Sequence, residues 1–146
     1  MSYTLQLKID GIEGDQRDGM SLEGFGHNIT AAGGRSAAPM ISDFSFSRFC
    51  DRATPLLALA AAEGRYFKEA VLELARADGD QAKFLEIRLT RVRVTNYNIS
   101  GATGGPAKEP YENFALGFEK IEWVYVTGPS QECRTDWVNE AAVAVN

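Results

Sequence analysis

A chain of 146 residues, 45% hydrophobic and 24% charged, has the composition of one ordinary globular domain, long enough to bury a core. Its net charge of −5, with arginines scattered among acids and apolar residues, argues against a nucleic-acid surface. No apolar run approaches the roughly 20 residues that span a bilayer, so membrane insertion is not expected.

The opening Met1–Asp10 carries no basic region followed by an apolar stretch. This predicts synthesis and folding in the cytoplasm, with any export left to a machine that needs no signal peptide. Tyr3, Leu5, Leu7 and Ile9 alternate with Thr4, Gln6, Lys8 and Asp10, the period of a half-buried strand. An acidic, glycine-punctuated loop follows over 11–19, then a strand from Met20 to about Ile29. The small residues of 31–39 read as a loop, and Asp43–Arg48 alternates again.

Thr54-Pro55-Leu56-Leu57-Ala58-Leu59-Ala60-Ala61-Ala62-Glu63-Gly64 is the one helix signal. Thr54 is placed to cap it, Pro55 suits the first turn, and Gly64 suits the left-handed end. The helix, about residues 55–63, is too short to stand alone in water. It reads as a cover for an apolar flank, with Leu56, Leu57 and Leu59 as expected anchors.

Tyr66–Arg76 and Ala82 to about Ile99 read as strands joined by the turn Ala77-Asp78-Gly79-Asp80-Gln81. Ser100–Pro110 is a Gly/Pro-rich loop, and Tyr111–Thr127 reads as the last long strand. Beyond Gly128-Pro129 the pattern weakens, though Trp137–Val145 is apolar enough to dock.

Both long strands change phase once. Leu85, Ile87 and Leu89 give way to Val92 and Val94; Phe114, Leu116 and Phe118 give way to Ile121, Trp123 and Tyr125. A phase change turns every later side chain to the other face unless the chain bends or bulges there. Antiparallel pairing that brings the two changes together sets Leu85 opposite Tyr125, Ile87 opposite Trp123, Leu89 opposite Ile121, Val92 opposite Phe118 and Val94 opposite Leu116. The same register sets Arg88 against Glu122 and Arg91 against Glu119, each pair worth about 0.2–1 kcal/mol. The expectation is a two-stranded unit that bends as a pair near Thr90 and Lys120. Outward positions such as Phe84, Val124 and Val126 stay apolar and call for cover.

Reaction chemistry is not legible. His27 is the only histidine and has no set of ligands at metal-binding spacing, so it reads as a strand-end or interface residue. Cys50 and Cys133 lie far apart with no histidine beside either and read as free thiols. Asp10, Glu13, Asp15 and Asp18 lack the spacing of a calcium loop, and Gly101-x-x-Gly104-Gly105 lacks the Lys-Ser/Thr and helix of a phosphate loop. No catalytic, metal or cofactor residues are assigned, and an enzyme is not expected.

Several motifs fall in a recognisable order. Asp43-Phe44-Ser45-Phe46-Ser47-Arg48-Phe49-Cys50-Asp51, then Arg52-Ala53-Thr54-Pro55-Leu56, then Gly64-Arg65-Tyr66-Phe67-Lys68-Glu69-Ala70, resembles the haemolysin-coregulated protein (Hcp) family of type VI secretion. Lys8–Gly14, Gly33-Gly34-Arg35-Ser36, the 77–81 turn before Phe84-Leu85-Glu86-Ile87, and Phe114–Glu122 after the Gly-rich loop follow in the same order. The resemblance covers about 3–126, with a weaker match at Asp136–Asn139.

It implies a mainly β fold, a small β-barrel of two antiparallel sheets with one flanking helix, in a single domain over 1–146 (core about 3–127, tail 128–146). It implies hexameric rings stacked into a hollow tube, propelled by a contracting sheath and tipped by a spike. Partners would be further copies of the chain, sheath, spike-tip and effector proteins, and the destination would be extracellular or inside a target cell. A ring-shaped carrier of effectors, the tail tube of a related phage-like particle, and a monomeric ligand-binding barrel are the alternatives. By the same resemblance, the loop at 31–41, with Ala32, Gly33, Gly34, Arg35 and Ser36 at its centre, is the candidate for contact between rings.

Overall fold

The computed structural model describes residues 2–15, 19–31, 39–77, 79, 82–105, 109–128 and 131–139. Alternation in β1 (Tyr3–Ile9) turns Leu7 and Ile9 into the core. β1 pairs antiparallel with β7 (Tyr66–Arg76), and β7 with β8 (Lys83–Ser100). On its other edge β8 meets β10 (Lys120–Gly128) along its first half and β9 (Tyr111–Gly117) along its second. β6 (Phe44–Phe49) lies beyond β9, and β3 (Gly24–Gly26) beyond β6.

The expected single strand from Met20 to Ile29 is instead three short pieces, β2 (Met20–Ser21), β3, and β4 (Ile29–Thr30). Their breaks have a structural reason. β2 bonds to β1, Leu22 N–H still donates to Leu5 O, and Glu23 N–H has already switched to Ser47 O on β6. One segment therefore links the two ends of the strand path, wrapping the nine-stranded sheet around a single core. β4 leaves that sheet and pairs with β5 (Met40–Ile41) as a separate two-stranded ribbon. The loop expected at 31–41 thus begins and ends in a ribbon.

The predicted register is observed. Leu85, Ile87 and Leu89 face Tyr125, Trp123 and Ile121, and Val94 faces Leu116. The bend has a backbone cause: Arg91 lies at φ 51, a conformation costly for a residue with a side chain. Opposite it, Phe118 and Glu119 leave the ladder, so the expected strand Tyr111–Thr127 is two strands, β9 and β10. Val92 and Phe118 are both buried at the bend but are not ladder partners. Arg91 pairs with Glu119 at 2.8 Å, while Arg88 sits 4.0 Å from Glu122 and closer, at 2.6 Å, to Glu69.

The tail holds a strand that its sequence hides. β11 (Gln131–Val138) pairs along β10, placing Trp137 opposite Ile121 and against the core. Gln131–Asp136 is exposed throughout, so it has no apolar period to read.

The helix α1 (Thr54–Glu63) packs on β8, as a flank cover should. Gly64 ends it at φ 66, donating to Ala60 O. Two expectations about it change. Ala53 rather than Thr54 is the capping residue; the Thr54 hydroxyl instead accepts the Asp51 N–H, and Asp51 accepts the Ala53 N–H. Leu57 and Ala60, one turn apart, are the buried anchors, whereas Leu56 and Leu59 face outward, Leu59 being 54% exposed.

Candidate assembly surfaces

The bend gives the sheet two outer faces of different chemistry. Across β1, β7, β8, β10 and β11 the outward side chains form ion pairs. Lys8 pairs with Glu73 at 2.8 Å, Glu73 with Lys83 at 3.3 Å, Lys83 with Glu86 at 2.7 Å and Glu86 with Arg88 at 3.1 Å. Arg134 continues the pattern on β11 with Glu122 at 3.1 Å. Burial opposes ionisation of Glu86, but hydrogen bonds from Lys83 and Arg88 outweigh it and lower its pKa. The Glu86 bond in turn raises the Lys83 pKa.

Beyond the bend the outward face carries exposed Arg93 and Asp43 beside Gly117, and past them a stretch without charge. In register across β3, β6, β9 and β8 stand Gly24, Ser47, Asn113 and Asn98, then Gly26, Ser45, Ala115 and Asn96. Most of these residues line a concavity of about 500 Å³. The alternation that turns Phe44, Phe46 and Arg48 inward is what turns Ser45 and Ser47 out.

Between the faces lies a buried polar clamp. Arg48, inward beside two phenylalanines, donates to Glu112 at 2.5 Å and to Asp51 at 2.6 Å. Tyr97 OH donates to the other Glu112 oxygen at 2.7 Å, and Cys50 Sγ lies 3.8 Å from that oxygen. Burial alone would lower the Arg48 pKa; its two carboxylate partners reverse that and raise it. Burial and then the Glu112 carboxylate push the Tyr97 phenol up, and burial leads the rise of the Cys50 thiol. Burial would raise the Asp51 pKa, but Arg48 and the backbone donors of Asp15 and Ala53 hold it low. The clamp thereby joins Asp15, the start of α1, β6, β8 and β9. At Gly14 an added Cβ would lie 2.7 Å from Asp51 Oδ2, so the loop can close on the carboxylate only with glycine there.

His27 behaves as a strand-end residue. Its ring stacks on Phe44 at 4.7 Å, meets Phe118 edge-on, and Nε2 lies 3.0 Å from Ser42 O. Desolvation is the main influence on it, and its pKa is lowered. Cys50 and Cys133 are free thiols. Among the described residues no group of three or more His, Cys, Asp or Glu side chains is arranged to hold a metal ion, and no helix is long and apolar enough to cross a membrane.

Ala32, Gly33, Gly34, Arg35 and Ser36 lie outside the described residues. What frames them is the ribbon, with Ile29 49% and Met40 72% exposed. A second apolar group runs from exposed Tyr3 over half-buried Phe84 to exposed Tyr125, with ring centroids 6.1 and 6.2 Å apart. The Arg48–Glu112 clamp was missed from sequence, although a signal existed: each charge occupies the inward phase of an alternating strand, Arg48 after Phe44 and Phe46, Glu112 before Phe114 and Leu116.

The described surface is that of a bent β domain with an ion-paired face, a concavity lined without charge and exposed apolar side chains towards its ends. The sequence matches, over residues 6–125, the family described as "Type VI secretion system effector, Hcp". The chain belongs to the Hcp family. It is 31% identical over 86 residues to Protein hcp1 of Pseudomonas aeruginosa; that stretch is 58% of this chain and 52% of the relative, about half its length. Its fold matches Hcp1 from Salmonella typhimurium with TM-score 0.82 at 25% identity, covering 97% of each chain. It also matches a structure described as a type six secretion system protein with TM-score 0.85 at 24% identity, covering 96% of this chain and 98% of that one.

Proposed function

We propose that this chain is the subunit of the inner tube of a type VI secretion apparatus. Six copies form a ring, rings stack into a hollow tube, and a contracting sheath drives the tube out of the cell with a spike at its tip. Beyond family membership, the observation that carries this reading is the division of the sheet into an ion-paired face and one whose concavity is lined without charge. A ring wall needs such a difference, because one side lines a passage and the other meets a different protein. The whole chain acts as a single tube domain, and the 31–41 loop, with Ala32, Gly33, Gly34, Arg35 and Ser36, contacts the next ring. Sheath, spike-tip and effector proteins are its partners, and its destination lies outside the cell.

A second role on the same ring is the carriage of effector proteins in the lumen. The surface favouring it is the Gly24/Ser47/Asn113 and Gly26/Ser45/Ala115 grid, which offers hydrogen bonds and no charge. Solution mass with negative-stain microscopy tests the ring. Six-chain particles with open centres support it, and a monomer at high concentration rejects both roles. Deleting 32–38 should leave ring mass unchanged and abolish stacking; unaffected stacking would remove the loop from the contact.

A further inference from the structure

We infer that the C-terminal segment 140–146 straps over helix α1 of its own chain, with Glu140 paired to Arg93 and with Val143 and Val145 covering Leu56 and Leu59. Such a strap needs no second copy, so it stands apart from the tube reading. From Thr54 to Ala62 the helix carries no charged side chain. Leu57 and Ala60 turn into the core, which leaves Pro55, Leu56, Leu59 and Ala62 on the outer side. A helix that is apolar all round is ordinarily buried all round, yet here Leu56 is 43% and Leu59 54% exposed. Leu56, Leu59, Ala60 and Phe67 border one hollow, and the Arg65 guanidinium beside them lies 5.2 Å from the Phe67 ring centre.

The chain's own end emerges close by. β11 stops at Val138, where Asn139 N–H donates to Glu119 O and Asn139 Nδ2 to Phe118 O. Asn139 thereby borders a cavity of about 100 Å³ together with Tyr66, Arg91 and Arg93, and Tyr66 directly follows the Arg65 of the hollow. β8, on which α1 packs, lies two strand spacings from β11, about 10 Å. Extended chain covers about 13 Å from Asn139 to Val143 and about 23 Å to Asn146.

Charge selects the occupant. Arg91 pairs with Glu119 at 2.8 Å, whereas Arg93 is exposed near the Tyr66 ring with no carboxylate partner among the described residues. Glu140 comes immediately after Asn139 and is the one acid beyond Asp136. Ala141 to Val145 then follow without a charge, and in an extended chain Val143 and Val145 share a face. Laying them on the two leucines takes both partners out of water. Tethering at Asn139 gives the segment an effective concentration on the order of millimolar at its own helix, which favours that helix over a neighbour's. The flank of α1 is thus a covered surface that opens when the tail leaves it.

The test is disulfide capture in the full chain carrying Cys133→Ser, with mass and melting temperature checked first. Leu59→Cys with Val143→Cys should link within one chain, giving a single-chain band of altered mobility and no ladder on a non-reducing gel. Its yield should exceed that of Lys68→Cys with Val143→Cys by about ten-fold, since Lys68 is exposed on the neighbouring β7 but off the helix. Arg93→Glu should cut the Leu59–Val143 yield several-fold, and Arg93→Glu with Glu140→Arg should restore it. In the otherwise native chain, Val143→Asp with Val145→Asp should raise binding of an apolar dye, and adding Leu59→Ser should remove the rise. Equal yields from Leu59 and Lys68, links between chains rather than within one, a yield indifferent to Arg93→Glu, a swap that restores nothing, or unchanged dye binding would each overturn the strap. All of them leave the ring untouched.

Discussion

Arg48 and Glu112 occupy directly paired positions on β6 and β9, 2.5 Å apart, with both side chains buried. Removing one member of such a pair strands the other's charge out of water. Arg48→Met leaves Glu112 and Asp51 without their cation and should cost about 3–5 kcal/mol in urea unfolding. Glu112→Gln keeps the shape and an acceptor for Tyr97 while Arg48 keeps Asp51, and should cost less, about 1–3 kcal/mol. Equal costs, or a neutral Arg48→Met, would mean that the clamp does not hold the fold.

Acid should loosen the protein through carboxylates it holds ionised. Asp51 and Glu86 have folded pKa values below their ordinary 3.8 and 4.5. The unfolded chain therefore binds more protons as pH falls, so their contribution is complete above those ordinary values and is lost as pH drops through the lower folded values. His27, lowered from 6.5, adds a smaller loss with the same sign beginning near that pH, since folding favours its neutral form. Unfolding midpoints measured from pH 7 to 3 should fall steadily, most steeply below pH 4.5. Asp51→Asn and Glu86→Gln should each flatten that acid limb. A limb that keeps its slope in both variants would place the acid sensitivity elsewhere.

The bend at Arg91 balances strain against contacts. Its φ of 51 is unfavourable, while its guanidinium pairs with Glu119 at 2.8 Å and lies 4.1 Å from the Tyr66 ring centre. Arg91→Gly removes both the strain and the contacts, so stability should change by only about 1 kcal/mol. Arg91→Val loses the contacts and places a β-branched residue in a conformation it resists, and should cost about 2 kcal/mol or more. Thermal unfolding of the two variants decides this, and a valine as well tolerated as glycine would contradict the assigned cause of the bend.

Two glycines separate packing from surface. Gly14→Ala forces a methyl to within 2.7 Å of Asp51 Oδ2, a side chain already held by Arg48 and two backbone donors, and should cost about 1–3 kcal/mol. Gly26 has nothing within 4 Å of an added Cβ, so Gly26→Ala should stay within about 0.5 kcal/mol. Differential scanning calorimetry of both reads the contrast, and the two variants melting together would contradict it.

How much could be read in advance depended on whether burial left a period in the sequence. Leu85, Ile87 and Leu89 against Tyr125, Trp123 and Ile121 were readable because both faces of that pair signal themselves, and matching phase changes fixed the register. β11 was not readable: an edge strand exposed from Gln131 to Asp136 follows from its neighbour β10, and its own composition carries no trace of it. The helix was placed correctly, yet its alanines supply no amphipathic stripe, so nothing distinguished buried Leu57 from exposed Leu56 and Leu59. Likewise the alternation around Phe44 and Phe46 announced the strand, but that a charge at Arg48 follows them inward depended on Glu112, 64 residues away.

In the proposed tube this domain works as one unit of a ring. Its most direct test is the mass of the intact protein in solution, by light scattering after size exclusion, on the same sample viewed in negative stain. Six-chain particles with an open centre, aligning into tubes at higher concentration, are the expected result. A single-chain mass persisting at high concentration, with no rings in the images, would contradict it.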